Sequence, residues 1–328
     1  MENLSYGKGS HKLAFFCGVS SDLSNLNFDN LDLKFLNIDS PELLELIYSQ
    51  FKNPSDVLKE FIRFKIKVGA YGNDLQVLIP KKFDAPRNEQ DYFLVRDILK
   101  VIFPSDVDIR FFSFYNYENE KLVWNYGAEY QFKQTYANTN YIKLPKFENE
   151  YLKFYKDVNQ LINIYLKNIN QLTYIHSTIN AYVGSYLQNS KAMEFVCLCI
   201  ALESLVEGNQ ELNYRIRRNV AVLIGSNVDT SRTISNNVNY LYDLRSRIVH
   251  SGIYSDEKID EYLPYLRNLV SVTILELFKH SIPTLTELNL TLTEKGFGDY
   301  KSLSENYVEN YTSSVRSDVL NTKLKKIK

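Results

Sequence analysis

The feature that most restricts the fold is the run at residues 192–206, AMEFVCLCIALESLV, which is apolar almost all the way round a helical wheel. A helix with so little polar surface is stable only when its neighbours cover every side, so it belongs at the centre of a helical bundle. The surrounding sequence supplies those neighbours. Residues 151–165 carry Leu152, Tyr155, Val158, Leu161, Ile162 and Tyr165 at helical spacing, and residues 215–224 form a further helix ended by Gly225. A polar loop at 226–232 leads to a helix running to His250. Ser255 as N-cap, with Asp256 and Glu257 in the first turn, opens a last long helix that reaches His280, with a bend expected at Pro264.

The first 145 residues have a different texture. Short runs at 61–68, 75–79, 107–114 and 122–124 are rich in β-branched or aromatic residues, while 41–51, behind Ser40, and 89–103, before Pro104, read as helices. The expected fold class is therefore an α+β N-terminal domain followed by an all-α bundle. A chain of 328 residues fits two domains, here 1–145 and 146–285. Residues 286–328 form a partly ordered extension, Ser-, Thr- and Asn-rich, with a weak alternating run at 288–292. It ends in Lys323-Leu-Lys-Lys-Ile-Lys328, a basic stretch open to two readings: a frayed solubilising end or a contact for nucleic acid.

Composition excludes several classes. Hydrophobic content of 45% with 23% charged residues is that of a globular chain rather than a disordered one. The apolar stretches 195–206 and 269–278 are interrupted by Glu203 and Glu276, so no bilayer span and no membrane partner is expected. Cys17, Cys197 and Cys199 lack zinc-ligand spacing and read as buried thiols of a reducing cytoplasm. His11, His176 and His280 are isolated, and no phosphate-binding glycine loop or nucleophile elbow occurs, so neither metal nor cofactor is expected. The aromatic-rich stretch 111–141 reads as strand core, with a base-stacking platform as its alternative.

Net charge is −1, yet the cations are unevenly placed. Arg215, Arg217, Arg218, Arg232, Arg245 and Arg247 are six of the twelve arginines, and no lysine lies between Lys191 and Lys258. Planar, bidentate donors suit phosphate or a buried carboxylate better than a merely solvated face does. Within this window, Leu241-Tyr-Asp-Leu-Arg-Ser-Arg-Ile-Val-His-Ser-Gly252 puts Leu241, Leu244 and Ile248 on one apolar stripe and closes on a glycine suited to a helix stop. Arg245 can grip a phosphate, and an imidazole at His250 can carry a proton near neutral pH. As a bland alternative, His250 is a helix-terminal imidazole that complements the dipole.

Three segments, Ala201-Leu-Glu-Ser-Leu-Val206, Tyr214-Arg-Ile-Arg-Arg-Asn-Val-Ala-Val-Leu-Ile-Gly225 and Leu241 to Gly252, together resemble the HEPN superfamily, most closely its Apea-like branch, over about residues 190–285. The most specific element is Arg-x4-His followed by Ser-Gly. The resemblance implies a small helical bundle that pairs with a second copy and cleaves RNA without metal, leaving 2′,3′-cyclic phosphate and 5′-hydroxyl ends. It implies Arg245 and His250 as the catalytic pair, and Ser246 fits the small polar residue that follows the arginine in this branch. It also implies a bacterial defence or toxin setting, in which the N-terminal domain would sense an unidentified trigger or regulator.

Helix geometry qualifies this picture. Five residues at 3.6 per turn put Arg245 and His250 about 140° apart, so one straight helix does not aim both at one atom. A two-fold arrangement of two copies resolves the angle. Asp243, Arg247 and His250 share a stripe, leaving Arg247 either a phosphate donor or an ion-pair partner of Asp243. Arg218 and Ser246 complete the expected substrate-binding set. Glu203, interrupting an apolar helix, needs a partner; Arg218 is the expected one, with orientation of His250 as the alternative role. Two other functions stay open: a catalytically silent HEPN-like module for dimerisation or RNA binding, and a metal-dependent hydrolase using Glu203 and Asp243.

Overall fold

A computed structural model of the chain describes residues 10–19, 23–37, 40–43, 76–82, 87–118, 121–129, 148–208, 210–252, 254–296 and 314–326. The strand expected at 61–68 and most of the helix expected at 41–51 lie outside these residues. So do the side chains of the stretch 111–141, Phe112 excepted. The chain divides into two compact units: Met1–Leu99 with Ser105–Asn159, and Lys100–Pro104 with Gln160–Lys328.

The first unit is built on a five-stranded antiparallel sheet. Its strands are β1 (Ser10–Cys17), β2 (Leu33–Asn37), β3 (Gln76–Pro80), β4 (Asp108–Glu118) and β5 (Lys121–Glu129), in the order β2-β3-β1-β4-β5. Central β1 pairs with β3 and β4, setting Ala14 opposite Leu78 on one side and Phe112 on the other. Consecutive Leu13, Ala14, Phe15 and Phe16 are all buried, so both faces of the sheet are covered at its middle. That is why this strand reads as a continuous apolar run rather than an alternating one. Helix α1 (Glu89–Ile102) buries Tyr92, Val95, Ile98 and Leu99. The Tyr92 hydroxyl donates to the Lys12 carbonyl, and its ring meets Phe112 edge-on at 5.6 Å. Helix α2 (Glu148–Asn168) starts close to the expected domain boundary at 145, but the boundary between units falls inside it, after Asn159.

The second unit is helical. Its elements are α3 (Ile175–Ser185), α4 (Lys191–Glu203), α5 (Leu212–Ile224), α6 (Val228–His250), α7 (Asp256–His280), α8 (Leu285–Lys295) and α9 (Ser314–Asn321). Helix α4 is the apolar run described above, and it packs against α3, α6 and α7. Its two acidic residues are both partnered: Glu194, buried, accepts from Arg267 Nε at 2.6 Å, and Glu203 pairs with Arg245. Pro264 lies in the third turn of α7, and the helix continues through it to His280.

Three local expectations are corrected. Residues 228–232, expected in a polar loop, are the first turn of α6. Asn227 caps it, its side chain accepting from Thr230 N at 2.9 Å while Thr230 Oγ1 accepts from the Asn227 backbone N–H, a reciprocal capping box built with Thr in place of Glu. The weak alternation at 288–292 is helical within α8, where the Thr284 side chain accepts from Glu287 N and Gly296 follows the last turn. Cys197 is only half-buried, whereas Cys199 is fully so.

The described part of the C-terminal extension is docked rather than frayed. Helix α9 buries Val319 and packs against α7 and α6. Arg316 donates from Nε to Glu276 at 3.2 Å and from Nη2 to the Ile224 carbonyl at 2.8 Å, satisfying a carbonyl left open at the end of α5. Beyond α9, buried Asn237 uses both ends of its amide on the extended chain, Nδ2 donating to Thr322 O at 2.8 Å and Oδ1 accepting from Leu324 N at 3.0 Å. The Tyr262 hydroxyl donates to the Lys325 carbonyl.

Candidate active site on helix α6

Helix α6 is anchored by Ile234, Val238, Leu241 and Leu244, all buried, which fixes the rotation of every other side chain on it. Arg245 consequently leaves the helix beside the end of α4. Its Nε lies 3.2 Å from Glu203 Oε1, and Nη2 lies 3.5 Å from Oε2. Oblique angles make this a side-on ion pair rather than the linear fork an Arg–carboxylate pair adopts at its strongest. Both side chains are mostly shielded, at 24% and 18% exposure, so the attraction is little screened. Tyr242, three residues earlier, donates its hydroxyl to the Cys199 carbonyl at 3.1 Å; burial pushes that hydroxyl's pKa well up, with the thiol of Cys199 and Glu203 adding to it.

His250 is the last residue of α6 and is exposed. Among the described residues its imidazole has no hydrogen bond or ion pair. The Arg247 carbonyl in the last turn is satisfied without it: Ser251 donates both its N–H, at 3.1 Å, and its Oγ, at 2.8 Å, to that oxygen. The chain then turns through Gly252 at φ +65°, a left-handed conformation that glycine adopts without strain. The dipole-complementing position of His250 is real, but its ring is not consumed in capping.

The structure therefore does not bring Arg245 and His250 together within one chain. They are about 7.5 Å apart along the helix and about 140° apart around it. Ser246 and Arg247 are exposed on α6 next to His250. Among the described residues no ion pair joins Arg247 to Asp243, so that reading of Arg247 falls away, and Arg247 is exposed. Asp243 is half-buried and close enough to Tyr262 to help raise that hydroxyl's pKa, after burial and Glu261.

Arg218 is not the partner of Glu203. It donates to Thr293 Oγ1 at 2.7 Å and to Asn219 Oδ1 at 3.0 Å, tying α5 to α8. Arg215 donates to the Glu207 carbonyl, and Arg217 donates to Asn239 Oδ1 at 3.2 Å and lies over the Tyr214 ring. Four of the six arginines in the window thus have partners inside the fold, leaving Arg232 and Arg247 turned outward. The guanidinium groups of these four spend their donors on carbonyl, amide, hydroxyl and carboxylate oxygens inside the fold. Among the described residues no group of three or more His, Cys, Asp or Glu side chains could hold a metal ion, and no helix is long and apolar enough to cross a membrane.

No protein-family model, curated protein or solved structure matches the chain.

Proposed function

We propose that the helical unit is a HEPN-like domain of the Apea-like kind and acts as a metal-independent endoribonuclease, with Arg245 and His250 as its catalytic residues. The observation that carries this reading is the contrast between them. Arg245 is held by Glu203, while His250 stands exposed at the end of the same helix, without a partner among the described residues. A held cation and a free acid–base group are what phosphoryl transfer on RNA requires.

Because the two side chains diverge, the site needs a second copy related by a two-fold axis. Val249 and Tyr254, large and 47% and 41% exposed, flank the histidine and offer apolar surface for that copy to cover. In the composite cleft one His250 takes the proton of the 2′-hydroxyl as O2′ bonds to phosphorus. The bond from phosphorus to the 5′-oxygen breaks, and the other His250 protonates the leaving oxygen. Arg245 offsets charge on the non-bridging oxygens, and exposed Arg247 and Ser246 meet the neighbouring phosphate. The products are a 2′,3′-cyclic phosphate and a 5′-hydroxyl; DNA, lacking the 2′-hydroxyl, is inert. Such activity suits a bacterial defence or toxin protein whose N-terminal unit responds to a trigger.

The test is RNA cleavage in EDTA by the full chain, by His250→Ala and by Arg245→Ala, with end-group analysis and solution mass. Cleavage lost in both variants, cyclic-phosphate ends and a dimeric mass are expected. Intact RNA under every condition, or cleavage by a strict monomer, sinks the proposal. A second reading, a silent module for dimerisation or RNA binding, draws on one specific observation: Glu203 already offsets the charge of Arg245.

A further inference from the structure

The basic C-terminus changes meaning once its backbone is docked. Buried Asn237 holds Thr322 and Leu324 by their main-chain groups, and Tyr262 holds the carbonyl of Lys325. The segment has neither helix nor turn, and its burial alternates as along an extended chain: Thr322 and Leu324 are half-buried, while Lys323 and Lys325 are exposed, as is Lys326. Among the described residues none of these lysines forms an ion pair.

The direction of the strap is equally specific. Asn237 is in the middle of α6 and Tyr262 in the second turn of α7, after the turn that joins the helices. In passing from Asn237 to Tyr262 the strap therefore runs toward the end of α6 that carries Arg247 and His250. Tyr262 is itself near enough to Asp243 and Arg247 to feel both charges. The strap thus carries Lys323, Lys325 and Lys326 along the helix pair toward exposed Arg247.

We propose that these three lysines and Arg247 form one basic strip that binds the phosphate backbone of single-stranded RNA leading to the α6 site. The assignment of RNA rests on the function proposed above. Lys323 and Lys325 are about 6.6 Å apart on one side of an extended chain, a regular spacing suited to successive backbone phosphates. A lipid surface fits less well, because Leu324, the apolar residue between them, faces inward and leaves no hydrophobic anchor. Order matters as well as charge: a docked strap presents its cations without the ordering entropy that a loose tail would lose on binding.

The experiment measures binding of a single-stranded RNA oligonucleotide by fluorescence anisotropy across a salt series, using the full chain. The triple variant Lys323→Ala, Lys325→Ala, Lys326→Ala should bind more weakly, with the slope of log K against log salt reduced by about 2, as expected for three lost phosphate contacts to a single strand. Asn237→Ala keeps every lysine but loosens the strap; it should weaken binding while leaving the slope nearly unchanged. Unchanged affinity and slope in the triple variant overturn the proposal. Full affinity in Asn237→Ala, with hydrogen exchange showing the strap released, overturns the part played by docking. Polyglutamate or anionic vesicles binding as tightly as RNA, with the same three lysines responsible, would reassign the strip. His250→Ala separates the two proposals: RNA uncleaved by every form but bound with the lysine-dependent slope leaves the strip standing and removes the nuclease.

Discussion

His280 gives the fold a calculable dependence on pH. It ends α7, only 2% exposed, with Glu276, Lys279 and Arg316 around it, and its pKa is lowered from an ordinary 6.5 to about 4. Burial is the main cause. Glu276 opposes it by favouring the imidazolium, while Lys279 and Arg316 reinforce it. Above the unfolded pKa both states are neutral and the histidine does not affect stability. Between 6.5 and about 4 the unfolded chain binds a proton that the folded chain refuses, so stability falls as pH falls, and below about 4 the loss is complete. At about 1.4 kcal/mol for each pH unit of difference, the full loss is about 3 kcal/mol. Urea unfolding of the full chain, followed at pH 7, 6, 5 and 4.5, should show a steady decline. His280→Gln keeps a polar side chain that does not titrate, and should remove about 2 kcal/mol of the decline by pH 5 while adding a pH-independent packing loss. Parallel pH curves for the two proteins would refute the reasoning, because carboxylates elsewhere would then account for the whole slope.

Asn237→Ala removes two hydrogen bonds to the strap at 2.8 and 3.0 Å. It should destabilise the helical unit by about 1–2 kcal/mol, lower Tm by a few degrees, and expose the amide of Leu324 to rapid hydrogen exchange. Glu203→Ala frees the guanidinium of Arg245: if the pair orients Arg245 for catalysis, kcat should fall at least about tenfold with KM little changed, whereas a change in melting temperature alone would mark the pair as structural. Gly252→Ala meets no steric neighbour among the described residues but forces a left-handed φ of +65° on an L residue, so a loss of about 1 kcal/mol in thermal stability is expected; a neutral result would mean the turn relaxes.

The sequence disclosed what local chemistry decides. The apolar wheel of α4 and the Ser255–Asp256–Glu257 start of α7 are signals contained within one or two turns, and both helices lie close to where periodicity put them. The start of α6 was equally local but masked by composition, since Ser226 to Arg232 is as polar as a loop and only the Asn227–Thr230 reciprocity makes it helical. Partner choice was not legible. The sequence points to Arg218 as the partner of Glu203, whereas Arg245 takes that place, a choice that depends on the rotation of α6 set by Leu241 and Leu244, a tertiary fact. The docked strap was hidden for the same reason: Asn237 reads main-chain atoms 85 and 87 residues away, which leave no pattern in the side chains of either segment.

These contacts divide the candidate site into two physically unlike halves. Arg245 belongs to the fold, because it joins the last turn of α4 to α6, and its removal leaves Glu203 partly shielded without its cation. Loss of activity in Arg245→Ala would therefore mix chemistry with stability. His250 holds nothing together among the described residues, so its replacement reports on chemistry with little structural contribution. A comparison of the two variants at matched folded fraction is thus more informative than either alone. If they lose cleavage equally once stability is equalised, the divergent pair acts as one site, and with about 140° between its members on a single helix, that site has to be completed by a second chain.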